Sequence, residues 1–418
     1  MPDQQTEIAV IGAGAVGLAV ALRLSRAGHE VSLMAPQTAD EPASEGNAGI
    51  IADYAVLPVG TPEVLRDLPR LLVDRKGPVS LRLQALPALA PWMLRFLRQS
   101  MPAAARRNAA ALATILAPSA PAWRELADEI GAAALLRQQG LLYLFDTPGS
   151  RRGAEEQMAR KRALGVNAEL ISSDELGQLE PALPRLPHGA AFYPDTMSVT
   201  DPRALMRELR AAVAAAGVAR IPARATGLIR RAPGDLRIAG QGETGEIGLR
   251  AGRVVIAAGA WSRPLARAAG DRIALDTERG YHLEFDMPTP PLTRPAMVMS
   301  RGFGLSPMTG RLRAAGTVEF GGLSAPPSPH RLQMIETAAR NLLPELAAPS
   351  RSWLGFRPSV PDSVPIIGPS RGGDDVLLAF GHGHLGLTLA PITARIIADM
   401  VAGRAPEIDP SPYAPSRF

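Results

Sequence analysis

Residues 7–35 read EIAVIGAGAVGLAVALRLSRAGHEVSLMA. Ile8 to Ile11 is a short run rich in β-branched residues, the composition of a parallel strand covered on both faces. Gly12, Gly14 and Gly17 follow at G-x-G-x-x-G spacing. Leu18 to Ala27 then predicts a helix ended by Gly28, and His29 to Leu33 a second strand, so the stretch forms one βαβ unit. Each glycine has its own reason. Gly12 makes the tight turn, Gly14 lets backbone approach a pyrophosphate, and Gly17 lets helix and strand pack closely. Ala13, Ala15 and Val16 fill the turn between them. The pyrophosphate of a dinucleotide would rest on the positive end of the following helix.

The same pattern calls for an acidic residue at the end of the second strand, to hold ribose hydroxyls. Ala35, Pro36 and Gln37 stand there instead. Glu30 comes too early, Asp40 and Glu41 too late, and no arginine follows Ala35 to favour a 2′-phosphate. Weaker anchoring on the adenosine side is therefore expected.

Composition narrows the remaining classes. The chain has 418 residues, enough for two domains, and is 46% hydrophobic and 20% charged, as globular proteins are. It has no cysteine, which excludes disulfides, thiolate metal sites, cysteine nucleophiles and a cysteine-linked flavin. The pI of 10.0 reflects arginine; Lys76 and Lys161 are the only lysines, and net charge is +5. The basic residues read as scattered, without a run interleaved with aromatics, so no nucleic-acid partner is expected. No basic leader precedes the first strand and no apolar run reaches the ~18 residues of a membrane span. A cytoplasmic location follows as the expectation, with peripheral attachment at the inner face of the membrane as its variant.

Along the chain, residues 42–51, PASEGNAGII, are small and flexible, fit for close passage beside a flat ligand or for a plain loop. Residues 60–135 predict proline-broken helices. Within them Leu81 to Ser100 is amphipathic, with Leu89, Trp92, Met93, Phe96 and Leu97 beside Arg82, Arg95 and Arg98. Core packing satisfies that pattern, and so does docking on a membrane or partner subunit. Ser173 is expected to cap a short helix to Glu180, and Asp201-Pro202 to open one reaching Ala216. Ile221 to Ile229 is extended, Leu236 to Leu249 a hairpin, and Arg253 to Ala257 a buried strand entering Ala258-Gly259-Ala260-Trp261. Residues 276–322 alternate strands and turns, as an antiparallel sheet of a second domain would. Near the C-terminus, a strand over Val376 to Phe380 passes through glycine-spaced turns (Gly381, Gly383, Gly386) into a helix ending at Val401, converging several N–H groups on one point.

Taken together, IAVIGAGAVGLAVALRLSRAGHEV, EGNAGII at 45–51, VVIAAGAWS at 254–262, RGYHLEF at 279–285, GFRPSVPDSVPIIG at 355–368 and FGHGHLGLTLAP at 380–391 resemble the FAD-dependent D-amino-acid oxidase/glycine oxidase family, above all bacterial D-amino-acid dehydrogenases. The resemblance covers 8–403, with 60–180 matching only in outline. It implies an α/β fold: a Rossmann-like, glutathione-reductase-like FAD domain over 1–55, 200–275 and 352–405. An α+β substrate domain with a large antiparallel sheet would span 56–199 and 276–351, leaving a tail over 406–418. Ala35 departs from the acidic residue usual in that family.

Position by position, the resemblance implies that Gly12, Gly14 and Gly17 hold the FAD pyrophosphate, that Ala13, Ala15, Val16 and Ser44 also bind the cofactor, and that Asn47, Ala48 and Gly49 run along the flavin. Ala225, Ala258, Gly259 and Trp261 would help enclose the dinucleotide, and Gly383, His384, Leu385, Gly386, Leu387 and Thr388 would face the flavin. Arg357 matches the family arginine that grips a substrate carboxylate; on spacing alone a salt bridge to Asp362 serves equally well. Tyr54, Tyr281, His282, Phe303 and His384 are candidates for the substrate wall, and His382 for a structural role. The implied reaction holds a neutral amine with Cα–H near flavin N5 and oxidises a small D-amino acid to the imine. The Phe303-Gly304-Leu305 wall suggests a small apolar or cyclic side chain such as D-proline or 4-hydroxy-D-proline. The electron acceptor would be a quinone, a dye-like carrier or oxygen. A sarcosine- or glycine-type oxidase and a flavin subunit of a larger complex remain alternatives.

Overall fold

The computed structural model describes residues 4–37, 42–74 and 77–418, so Asp40, Glu41 and Lys76 lie outside the described residues. Gln4–Ile11 runs parallel to Val31–Met34 on one side and to Gly245–Ile256 on the other, pairing Ile11 with both Met34 and Ile256. Ala219–Ile221 adds beyond Val31–Met34, and Gly373–Phe380 beyond the end of Gly245–Ile256. Asp235–Gly242 pairs antiparallel with the first part of Gly245–Ile256, and Ala223–Ala232 pairs antiparallel with Asp235–Gly242.

Alternation along the first strand explains the layers. Ile8 and Val10 join the cluster of Leu18, Leu22, Ile392 and Ile396, whereas Ala9 and Ile11 join that of Leu265 and Ala266. One face is therefore covered by Ala15–Arg26 and Gly386–Val401, which pack on one another, and the other by Ser262–Ala268. Residues Gly383–Val401 are apolar enough to cross a membrane by length and composition, yet 72% of that window is buried; the helix also packs on Ser119–Glu129.

The second sheet orders Arg351–Ser359, Asp276–Asp286, Arg311–Phe320, Phe303–Met308, Ala296–Val298, Leu141–Leu144, Ala190–Tyr193 and Glu169–Ile171. It is mixed rather than antiparallel throughout, because Ala296–Val298 runs parallel to Leu141–Leu144 and Val79–Leu81 parallel to Arg311–Phe320. Residues 352–359 were expected with the nucleotide-binding part. They instead complete this second sheet, from Asp276↔Ser359 to Glu284↔Arg351, and the chain returns to the first sheet at Ile366–Ser370. An edge strand carries no sequence mark of which sheet it joins. Ile50–Ile51, Met197–Val199 and Leu136–Gln138 form a small third sheet.

Two further expectations change. The last residues are not a loose tail: Tyr413 is fully buried with its hydroxyl donating to the Ala111 carbonyl (2.8 Å), and Arg417 pairs with Asp362 (2.8 Å). The N-cap of Ser173–Leu179 is Ser172, whose hydroxyl accepts from the Glu175 amide while the Glu175 carboxylate reaches back.

Candidate active site

Gly12 leaves the first strand at φ +113°, and a Cβ there would stand 2.3 Å from the Ala257 carbonyl. A Cβ on Gly17 would stand 1.9 Å from the Gly12 carbonyl, so the helix lies directly against the turn. Gly14 supplies an extended N-cap with no side-chain cap, and no acidic residue occupies the first turn. Ser44 reaches in, its Oγ accepting from the Ala15 amide at 2.9 Å. Ala13 and Val16 pack partly on the core beneath. A neutral, glycine-lined helix start whose cross-chain cap is one hydroxyl fits a pyrophosphate. Ala258 and Gly259 (φ +56°) close the far side of the turn, and Trp261 meets Phe356 edge-on at 5.6 Å. Ala225 packs with Met34 and Ile221 where the second strand ends, and the Ala35 amide donates to the Ile221 carbonyl (3.1 Å).

The loop after Ser44 is held from all sides. Asn47 donates from Nδ2 to the Ala43 and Ser44 carbonyls and accepts from the Gly49 amide (2.8 Å), so Ala48 is presented on a closed turn. Gly49, at φ +68°, accepts from the Val199 amide at 2.6 Å. Gly46 lies on the Trp353 indole, where a Cβ would come within 2.1 Å. His282 stacks on that indole at 4.9 Å and its Nδ1 is 2.8 Å from the Gly46 carbonyl, which makes Nδ1 the protonated nitrogen. Burial, together with the nearby Arg313 charge, pushes this imidazole down to about 3.

Arg313 is fully buried and donates to the Glu45 carbonyl (2.9 Å), the Asn47 carbonyl and the Glu284 carboxylate (2.6 Å). Arg203 (2.7 Å) and Arg311 (3.0 Å) complete the shell around Glu284. Burial works to raise Glu284, but its guanidinium neighbours, Arg313 first, hold it down to about 2. Sequence reasoning missed this clamp. Its signal was Glu284, Arg311 and Arg313 inside the stretch expected to form a sheet, where a charge on a covered face requires a partner.

The C-terminal loop closes the opposite side. Gly381 and Gly383 turn at φ +78° and +55°, Leu385 enters the core, and Gly386 starts the long helix. Thr388, fully buried, accepts from the Ala52 amide (2.9 Å), and the Leu387 carbonyl accepts from the Trp123 indole (2.8 Å). His382 is buried against Thr393 (3.0 Å), a structural contact. His384 is exposed at the end of this loop, yet the protein packed around it and the nearby Arg357 charge push its imidazole down to about 4, so it is neutral at pH 7.

Arg357 lies across Gly280 of the neighbouring strand, where a Cβ would be 2.3 Å from Nη2. Its Nη1 donates to the Thr317 carbonyl (3.1 Å), and it forms no ion pair among the described residues. The salt-bridge alternative is absent, since Asp362 pairs with Arg417. Glu278 sits opposite in register but is engaged by the Ser359 hydroxyl (2.6 Å). Burial lowers the guanidinium and the Glu278 charge opposes that shift. This cation therefore lacks a bound carboxylate partner of its own.

Three wall candidates fall elsewhere. Tyr281 alternates to the face opposite Gly280 and packs with Leu283, Phe285 and Ile335; its hydroxyl donates to Glu319 (2.6 Å) and accepts from the Ser328 amide. Phe303 and Leu305 belong to the same covered face, so they give no reading of substrate volume. Tyr54 is buried with Tyr143 and Tyr193 around Lys161, whose Nζ lies 4.7 to 5.2 Å from the three ring centres and donates to the Tyr193 hydroxyl (3.0 Å). The open face of the second sheet instead offers Gly280, His282 and Ser306, and both His282 Nε2 and Ser306 Oγ are buried without a hydrogen-bond partner among the described residues.

A dinucleotide cradle on one sheet, facing a second sheet that carries an uncommitted arginine, defines a dinucleotide-dependent oxidoreductase with a separate substrate wall. The chain belongs to the DAO family of FAD dependent oxidoreductases, whose family profile matches residues 7–400, and FAD is its cofactor. A D-amino-acid oxidase of Bradyrhizobium diazoefficiens is 35% identical over 427 residues, covering 100% of each chain. A D-amino acid dehydrogenase of Paramagnetospirillum magneticum is 33% identical over 437 residues, 99% of each. Among solved structures, glycine oxidase from Geobacillus kaustophilus shares the fold, with a TM-score of 0.76 at 22% identity over 99% of each chain.

Proposed function

We propose that the enzyme oxidises the CH–NH group of a D-amino acid to the imine and passes the electrons to a quinone, a dye-like carrier or oxygen. Bound FAD supplies the two-electron acceptor for this step. The observation that carries the reading is Arg357: a guanidinium without an ion-pair partner among the described residues, braced on Gly280 and Thr317 beside the flavin-flanking loops. Its planar fork grips both carboxylate oxygens and so fixes the position of Cα. His384, neutral and beside that cation, adds no charge that competes for the carboxylate. The relatives' names support an amino acid of the D series. The expectation of a small cyclic substrate loses its basis with Phe303 and Leu305 behind the sheet.

The test is anaerobic loss of flavin absorbance on adding D- and L-amino acids, N-methyl amino acids and cyclic imino acids. D-Amino acids should bleach the wild type, and Arg357→Ala should raise the concentration required by roughly 100-fold. Undiminished affinity in that variant would remove the carboxylate assignment. Turnover sustained by oxygen alone would favour the oxidase alternative over the dehydrogenase.

A further inference from the structure

Helix Leu86–Gln99 has two apolar faces. Leu89, Trp92 and Phe96 turn inward onto Phe320, and the Trp92 indole donates to the Ser359 carbonyl at 3.2 Å. The residues that made this stretch amphipathic in sequence are thus mostly core. A different set points outward. Leu83, Leu86, Leu94, Leu97 and Met101, with Ala90 among them, recur at steps of three and four residues and form one stripe along the helix and its two ends. These five large side chains are 36% to 78% exposed, and they are five of the nine exposed large apolar side chains among the described residues. By helical rise the stripe runs about 25 Å, a concentration that scattered surface leucines do not produce.

The charges near it along the chain are one-sided. From Arg75 to Arg124 the chain has eight basic and no acidic residues, although the whole protein carries only +5. The remaining residues therefore sum to −3, and the basic residues are less evenly scattered than the overall count suggests. Arg95, Arg98, Arg106 and Arg107 are exposed and form no ion pair among the described residues.

We propose that the Leu83–Met101 face docks in the plane of an anionic lipid bilayer. Leucine and methionine side chains would enter the boundary of the acyl region while the flanking arginines meet lipid phosphates. The charge pattern selects this occupant over a second copy of the chain: an isologous contact would set the same unpaired arginines against one another. The surface is separate from the oxidation chemistry, so docking and the proposed reaction stand or fall independently.

The test is flotation of the FAD-loaded full chain with vesicles of phosphatidylglycerol and phosphatidylcholine, against vesicles of phosphatidylcholine alone. Arg95→Gln/Arg98→Gln/Arg106→Gln should weaken binding to the anionic vesicles by roughly 100-fold, and added salt should do the same to the wild type. Leu83→Ser/Leu94→Ser/Leu97→Ser should abolish flotation at any salt while keeping dye-coupled turnover, which shows that it folds. Wild-type protein that fails to float with anionic vesicles would overturn the proposal. So would unchanged flotation of either variant, or a wild-type dimer in sedimentation that the leucine variant converts to monomer.

Discussion

Adding one methyl group at Gly280 tests the substrate site without touching a reacting atom. The new Cβ would stand 2.3, 2.5 and 2.8 Å from Nη2, Cζ and Nη1 of Arg357. Gly280 is not among the positive-φ glycines, so the backbone accepts alanine. The obstacle is the far end of a flexible side chain, so the guanidinium moves and the strand stays. The fold then loses the Nη1 bond to the Thr317 carbonyl, worth about 1 kcal/mol. The substrate loses a charge-assisted, two-pronged contact, worth about 1.5–3 kcal/mol, or roughly 10- to 100-fold in Kd. Anaerobic flavin titration with a bleaching D-amino acid measures that Kd, and thermal unfolding measures the fold. Gly280→Ala should bind roughly tenfold more weakly or worse, with a thermal midpoint only a few degrees lower. In an Arg357→Ala background the same methyl should change little, because the two substitutions remove one interaction. An equal loss of affinity in both backgrounds would refute the idea that Gly280 acts through Arg357.

Two other regions make separate predictions. Burial among three tyrosines pushes the Lys161 ammonium from 10.5 down to about 8, corresponding to about 3 kcal/mol of penalty on the charged form. Above pH 8 the folded protein releases this proton while the unfolded chain keeps it up to 10.5, so the penalty is full below pH 8 and fades as pH rises through that window. Lys161→Met should therefore be the more stable protein in urea at pH 7, with a margin over wild type that shrinks toward pH 10; a margin independent of pH would show the amine to be normal. Arg313→Lys retains charge but cannot span Glu284 and the Glu45 and Asn47 carbonyls together, so the flavin-flanking loop loosens. FAD titrated into the apoprotein should bind roughly tenfold more weakly by fluorescence quenching, and unaltered affinity would show that the clamp does not act on the cofactor.

Much of the nucleotide-binding half was legible in one dimension. Gly12, Gly14 and Gly17 serve a turn, an approach and a helix contact that are all local, so spacing carries them. The strand–helix–strand order followed from runs of β-branched residues and a glycine stop. Arg357 was legible as a cation that needs an acid, but whether that acid was Asp362 or a substrate depended on where Arg417 would fold back. The faces of the second sheet were less accessible. Tyr281 and Gly280 differ by one position, and only the strand's pairing and the helix behind it decide that the hydroxyl meets Glu319 while Arg357 crosses the glycine. Likewise Glu45, Asn47, Glu284 and Arg313 are joined across more than 200 residues of chain. Local conformation is set by neighbours in sequence, so the chain alone determined the cradle, its glycines and the family to which they point. Partnership among buried charges depends on which distant strands share a face, so the tertiary structure alone decided which arginine is tied to a carboxylate and which has none among the described residues.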